Sequence, residues 1–277
     1  MPSRVQTVED AIRVFEEADH PAGLTADTAW LGIYQTLLWY EPINMFGIHA
    51  LPHIVDANNL RPPTPKKASE WREPNEWQLR AQAVERYIAE KLGCSPAGVE
   101  GKVDRLMRSD NYVGMQRQNS LGIAFTGIVR AISERFGAKG IEYELERDAA
   151  HVFPGIVFPG RSNAPSIDIL ATKQGIPRAI ISAKWSVRHD RVNDITNECP
   201  VYKEGYNRIH RGRGDRLFFY VLTNEFQGGR LAKMLNDSCI DGVVHVHKPL
   251  IVDVCGFDGR LTDMLDLTDL VSQTSLW

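Results

Sequence analysis

The 277-residue chain has 43% hydrophobic and 24% charged residues, the balance of a soluble globular protein long enough to bury a full core. A formal charge of −3 excludes binding a polyanion through overall basicity, so any nucleic-acid site has to be a local basic surface. The longest nearly apolar run, Ala29 to Tyr40, is too short to cross a bilayer and contains Gln35, and Glu9 and Asp10 stand where a signal peptide needs apolar residues. Cys94, Cys199, Cys239 and Cys255 show no CxxC pairing, which predicts reduced thiols in a cytoplasmic protein with no membrane partner.

In chain order, Val8 to Ala18 has helical spacing, with Ala11, Ile12, Val14 and Phe15 on one face, and Thr28 to Tyr40 is a second helix capped by Thr25 or Asp27. Arg61-Pro-Pro-Thr-Pro-Lys-Lys67 cannot continue a helix and reads as a linker, so residues 1–78 form a helical N-terminal region and 79–277 the core. Helical periodicity runs from Trp77 to Leu92, stops at Gly93 and resumes to about Met107. The piece from Ile88 to Leu106 has helix-turn-helix spacing, but two packed core helices explain it better, because the second is poor in groove-reading side chains.

Ser120 to Phe136 is a further amphipathic helix, and Gly140 to Glu146 alternates as a half-buried strand does. Ser166 to Ala171 and Arg178 to Lys184 are two strands separated by Lys173-Gln-Gly-Ile-Pro177, which makes a hairpin. A helix from about Ser186 to Asn197 should stop before Pro200. The apolar run Leu217 to Thr223, a helix over about Arg230 to Asn236 and a strand from Gly242 to His247 follow. The fold class is therefore α/β: a mixed central sheet flanked by helices, with a helical N-terminal region.

If the hairpin closes symmetrically about Gly175, Asp168 lies opposite Ser182, and Lys184, two residues on, points to the same face. A carboxylate, a hydroxyl and an ammonium then converge at one sheet end. A divalent cation that polarises a phosphate generally requires a second carboxylate, and Glu198, seven residues after Arg191 on the same helical face, can supply it. Singly, each residue has an ordinary explanation as a strand-edge charge, a strand-end cation or an exposed helix carboxylate. Together with the next motif they do not.

Arg188, Asp190 and Arg191 open the helix after the hairpin. Arginine can make two hydrogen bonds to guanine O6 and N7, and aspartate accepts from cytosine N4, so this trio suits two adjacent G·C pairs. Two copies about a two-fold axis would read four such pairs. Seen alone, the same charges could be a solvated face with an intrahelical ion pair of Arg191 with Asp190 or Asp194. From Lys184 to Arg216 eight cations stand against five anions, so positive charge is concentrated here. Cys239, His245, His247 and Cys255 are zinc-ligand types without the spacing of a zinc site, and Ser182 lacks the GxSxG elbow of a hydrolase.

Ser182-Ala-Lys-Trp-Ser-Val-Arg-His-Asp-Arg191 with Glu198 resembles the active-site and recognition segment of the CCGG-family Type II restriction endonucleases, of the PD-(D/E)xK superfamily. The pattern is serine, any residue, lysine, arginine four residues later, Asp-Arg after one spacer, and a glutamate displaced onto the helix. The similarity covers roughly Ser120 to Lys248 and is sharp between Asp168 and Glu198. It implies Lys184 as catalytic lysine with Ser182 beside it, Asp168 and Glu198 as ligands of Mg²⁺, and Arg188, Asp190 and Arg191 as readers of CCGG. It also implies cutting before the first C to leave four-base 5′ overhangs, at least a dimer on palindromic double-stranded DNA, and a cognate DNA methyltransferase that forms no stable complex with it. The family's first aspartate follows a proline and stands further upstream, which makes Asp148 a possible substitute for Asp168. Its glutamate before the sheet aligns with Thr126, leaving Glu134 as the nearby acid. The alternatives are a non-enzymatic helix-turn-helix regulator and a repair or modification-dependent endonuclease of the same fold.

Overall fold

A computed structural model describes residues 3–37, 83, 86–95, 98, 120–159, 163–185, 187, 189–211, 215–254 and 261–277. In chain order the described elements are helices α1 (Arg4–Glu17), α2 (Ala29–Leu37) and α3 (Ser120–Phe136), strand β1 (Ile141–Asp148), the short helix α4 (Ala149–Val152), strands β2 (Ser166–Lys173) and β3 (Ile176–Lys184), helix α5 (His189–Ile209), strand β4 (Phe218–Thr223), helix α6 (Gly228–Leu235), strand β5 (Gly242–His245) and helix α7 (Leu267–Gln273).

The five strands form one mixed sheet in the order β1-β2-β3-β4-β5. The first three are an antiparallel meander, and β4 and β5 run parallel to β3. Parallel neighbours need crossovers, and α5 and α6 supply them. The α/β architecture with a helical N-terminus is thus the one that the alternation of strand and helix patterns implies.

Each face of the sheet has its own helical cover. Trp185, at the end of β3, meets Phe125 of α3 and Tyr34 of α2 edge to face. The paired residues Ile181 and Tyr220 share that face, and Trp277 lies against both Tyr220 and Tyr143. On the opposite face Tyr202 of α5 stacks on Phe219, with Phe153 and Phe158 beside it. Helix α1 buries Ala11, Val14 and Phe15, the i, i+3, i+4 stripe expected, and packs on α3. The approach is close: a Cβ on Gly127 would stand 2.8 Å from a methyl of Val8. One continuous core runs from Ala11 to Trp277 and includes the N-terminal helices. The boundary at 78/79 and the linker 61–67 lie outside the described residues.

Gln174 and Gly175 both have positive φ (53° and 74°), the two-residue turn whose twist suits a hairpin. The register shifts between Ala171 and Thr172, which gives Pro177 a place in β3 at an irregularity rather than in a regular ladder. Beyond the turn, Ile169 opposite Ile181 restores the symmetry about Gly175.

Two features depart most from what the sequence implies. Helix α5 starts at His189 rather than Ser186 and does not stop before Pro200; it continues through the proline to Ile209. Proline inside a helix costs about 3 kcal/mol. Here Tyr202 and Tyr206 are buried downstream of it, and Lys203 pairs with Asp241 at 2.7 Å, so anchorage to the sheet outweighs the break. Secondly, Cys199 and Cys239 are not reduced thiols but a disulfide, with Cα atoms 6.1 Å apart. The extension of α5 is what carries Cys199 to the turn before β5. Cys94 is free, and Cys255 lies outside the described residues.

Candidate active site at the end of the hairpin

The β2–β3 register places Asp168 opposite Ser182, and the side chains meet: Ser182 Oγ donates to Asp168 Oδ2 at 3.2 Å. Lys184 Nζ donates to both carboxylate oxygens, at 2.7 and 2.6 Å. The Asp168 side chain is 14% exposed and that of Lys184 34%. A desolvated carboxylate therefore sits beneath a cation that still reaches solvent. Burial pushes the Asp168 carboxyl above the usual aspartate range, more strongly than the Lys184 charge and hydrogen bond pull it down. Glu146 raises it further, and the Ser182 hydrogen bond lowers it.

The face that carries Asp168, Ser182 and Lys184 is the one covered by α5. That helix buries Val192, Ile195, Cys199, Tyr202 and Tyr206, a continuous stripe at three- and four-residue steps. Glu198 is half-buried at the margin of this stripe, next to the disulfide-bonded Cys199. Asp190 and Arg191 are exposed in the first turn, and Arg191 Nη1 pairs with Asp194 at 3.0 Å, the intrahelical ion pair considered for this charge run. Arg188 lies outside the described residues.

The alternative acids have other partners or positions. Asp148 caps α4 by accepting from Ala150 N at 2.8 Å and stands 3.3 Å from His151. Glu134 pairs with Arg130 at 3.5 Å and acts on Tyr143, on the sheet face away from Asp168. Thr126 is buried with its hydroxyl donating to Gly122 O. The zinc-type residues are dispersed: Cys239 is in the disulfide, His245 is fully buried on β5, and His247 stacks on Trp30 with ring centres 3.8 Å apart. Only the start of the helix-turn-helix segment is described. There Ile88 and Leu92 are buried, and Gly93 closes the helix with φ of 62° and a bond from Cys94 N to Ala89 O. The second helix of that segment lies outside the described residues.

Two acids near the site escaped sequence reasoning. Leu145 opposite Ile169 and Arg147 opposite Ile167 put Glu146 across from Asp168. Glu146 has a positive φ of 54°, which interrupts the ladder, and it pairs with Arg4 at 2.7 Å. Its alternation with Glu142 and Glu144 hid it among ordinary exposed strand carboxylates. Glu225 follows β4 and accepts from Val187 N at 3.0 Å. Its signal was an acid just past the carboxyl end of a buried parallel strand, where α/β sheets place functional groups.

Oxygen ligands of the carboxylate class suit Mg²⁺, which takes one or two carboxylates and completes its shell with water and substrate phosphate, so Asp168 and Glu198 fit that ion in kind. Among the described residues, no group of three or more His, Cys, Asp or Glu is gathered closely enough to hold a metal ion by itself. No helix among them is long and apolar enough to cross a membrane. No protein-family model, curated protein or solved structure matches the chain.

Proposed function

We propose that this protein is a Type II site-specific deoxyribonuclease that hydrolyses both strands of palindromic DNA with a CCGG core in the presence of Mg²⁺. The observation that carries the reading is the junction of Asp168, Ser182 and Lys184 at one strand end, five residues before a helix whose first turn presents Asp190 and Arg191. A hydrolytic group and a base-reading group thereby lie on consecutive elements.

Asp168 and Glu198 are the residues that would hold Mg²⁺, which when bound polarises the scissile phosphate and lowers the pKa of a coordinated water. Ser182 fixes the Asp168 carboxylate through its hydrogen bond. Lys184 supplies a cation, in a partly dry setting, for the charge that builds on the phosphate oxygens, and orients the attacking water. Arg188 and Arg191 each take a guanine, and Asp190 accepts from the cytosine amino groups. Cleavage before the first C leaves four-base 5′ overhangs. Two protomers act on one palindrome, in a prokaryote whose cognate methyltransferase protects the same sequence.

The test is to incubate duplexes that carry CCGG with every flanking pair, and a scrambled duplex, with and without Mg²⁺. Metal-dependent cuts confined to CCGG support the reading. Cutting regardless of CCGG favours a repair or modification-dependent nuclease, and specific binding without cuts favours a regulator. The regulator reading is the weaker of these, since the second helix of its segment is poor in groove-reading side chains.

A further inference from the structure

The exit of β3 is secured beyond its last ladder pair. Lys184 stands opposite Thr223 at the end of the parallel register, and Asn224 N then donates to Trp185 O at 3.0 Å. Glu225, 3% exposed, reaches past this bond to the main chain of Val187, whose N donates to Oε2 at 3.0 Å. The same carboxylate accepts from Gln227 N at 2.9 Å and from Arg230 Nη1 at 3.1 Å. Two amides and a guanidinium hold a buried carboxylate in a single orientation. Val187 is itself fully buried, and two residues later α5 begins.

We infer that Glu225 is a positioning residue for sequence discrimination, acting through the Val187 backbone and without touching DNA; this rests on the endonuclease reading above. Between Lys184 and α5 the described residues are Trp185 and Val187, held by Asn224 N and by the Glu225 carboxylate. The geometry of this connector sets the distance and angle between the hydrolytic hairpin and the first turn of α5. Without the Glu225 carboxylate, the buried Val187 N–H loses its acceptor and the connector relaxes. Base readout needs paired hydrogen bonds within narrow angular limits, whereas attraction to phosphates depends on charge. Removal of Glu225 therefore degrades discrimination more than it degrades DNA affinity.

The experiment uses the full-length protein with Mg²⁺ and compares kcat/KM on a CCGG duplex with that on a duplex changed at one base pair. The ratio does not depend on the fraction of protein that is folded. Glu225→Gln keeps the size of the side chain, but whichever way its amide turns, Gln227 N or the Val187 and Arg230 donors face an NH2 group. The expected result is a fall in the ratio of about tenfold or more, with non-specific DNA affinity retained and faster hydrogen exchange at the Val187 amide. A purely structural role lowers both kcat/KM values together and leaves the ratio unmoved. Discrimination equal to wild type in folded Glu225→Gln overturns the inference while leaving the endonuclease reading standing. A wild-type protein that does not prefer CCGG overturns both.

Discussion

Lys184 and Asp168 touch each other, yet their removal should have opposite effects on stability. Asp168 carries a carboxyl pushed above its ordinary range, because the loss of hydration outweighs the pairing with Lys184, so its ionised form opposes folding at neutral pH. Asp168→Asn is expected to raise Tm and abolish cleavage, a trade of the kind active sites often show; a lower Tm in this variant removes the electrostatic account. Lys184→Ala leaves that buried carboxylate without its cation, so Tm falls, cleavage is lost and sequence-specific binding in a gel-shift assay is retained. At this scale the sequence was informative wherever symmetry fixed geometry. Asp168 and Ser182 are equidistant from Gly175, and they face each other because the one-residue shift beside Pro177 moves the register from one centred between Gln174 and Gly175 to one centred on Gly175; without it Asp168 would face Ile181. Glu146 stayed hidden because its approach to Asp168 comes through a pairing of β1 with β2 across a long connection, which local patterning does not encode.

Helix α5 joins the two halves of the proposed chemistry. Arg191→Ala should lose about 1 to 3 kcal/mol of specific binding for the guanine contact it removes, measured as the ratio of affinities for CCGG and scrambled duplexes; an unchanged ratio ends the readout scheme. The helix's true length could not be read from its sequence, because a proline is a local stop signal while its counterweights are distant: Phe219 against Tyr202, Asp241 against Lys203 and Cys239 against Cys199. The cysteines escaped for a related reason, since a bridge across 40 residues leaves no short motif. Replacing both Cys199 and Cys239 by serine should lower stability by roughly 4 kcal/mol on the chain-entropy argument for a loop of that size, checked by urea unfolding. No loss would mean that the non-covalent anchors of α5 suffice.

Across the molecule, the carboxyl end of β5 carries two histidines that must stay neutral, His245 in the strand and His247 just after it. Burial lowers His245 from its ordinary 6.5 to about 4, and burial with the neighbouring His245 and Lys91 lowers His247 to about 3. Both titrate near 6.5 in the unfolded chain, so their contribution to stability is complete above that pH. It is lost as pH falls from about 6.5 toward 4, by roughly 1.4 kcal/mol per pH unit for each histidine. Thermal melts from pH 7 to pH 5 should show a steady decline, and His247→Phe, which keeps a ring against Trp30, should flatten it. The general architecture was legible because strand and helix periods alternate cleanly after Ser120. What periodicity could not convey is that α1 and α2 belong to the same core, through contacts such as Tyr34 Oη donating to Asn224 Oδ1 at 2.5 Å, 190 residues apart in the chain.

The Cys199–Cys239 bond also makes residues 199–239 a closed ring that encloses β4, the Asn224–Gln227 loop and α6. A single peptide cut anywhere inside that ring cannot separate the two pieces. Limited proteolysis there should therefore leave a species that migrates as one band without reductant and as two with it. Where the cut falls between Cys199 and Glu225, the hairpin lysine and the Glu225 that holds its exit lie on different fragments, still joined through sulfur.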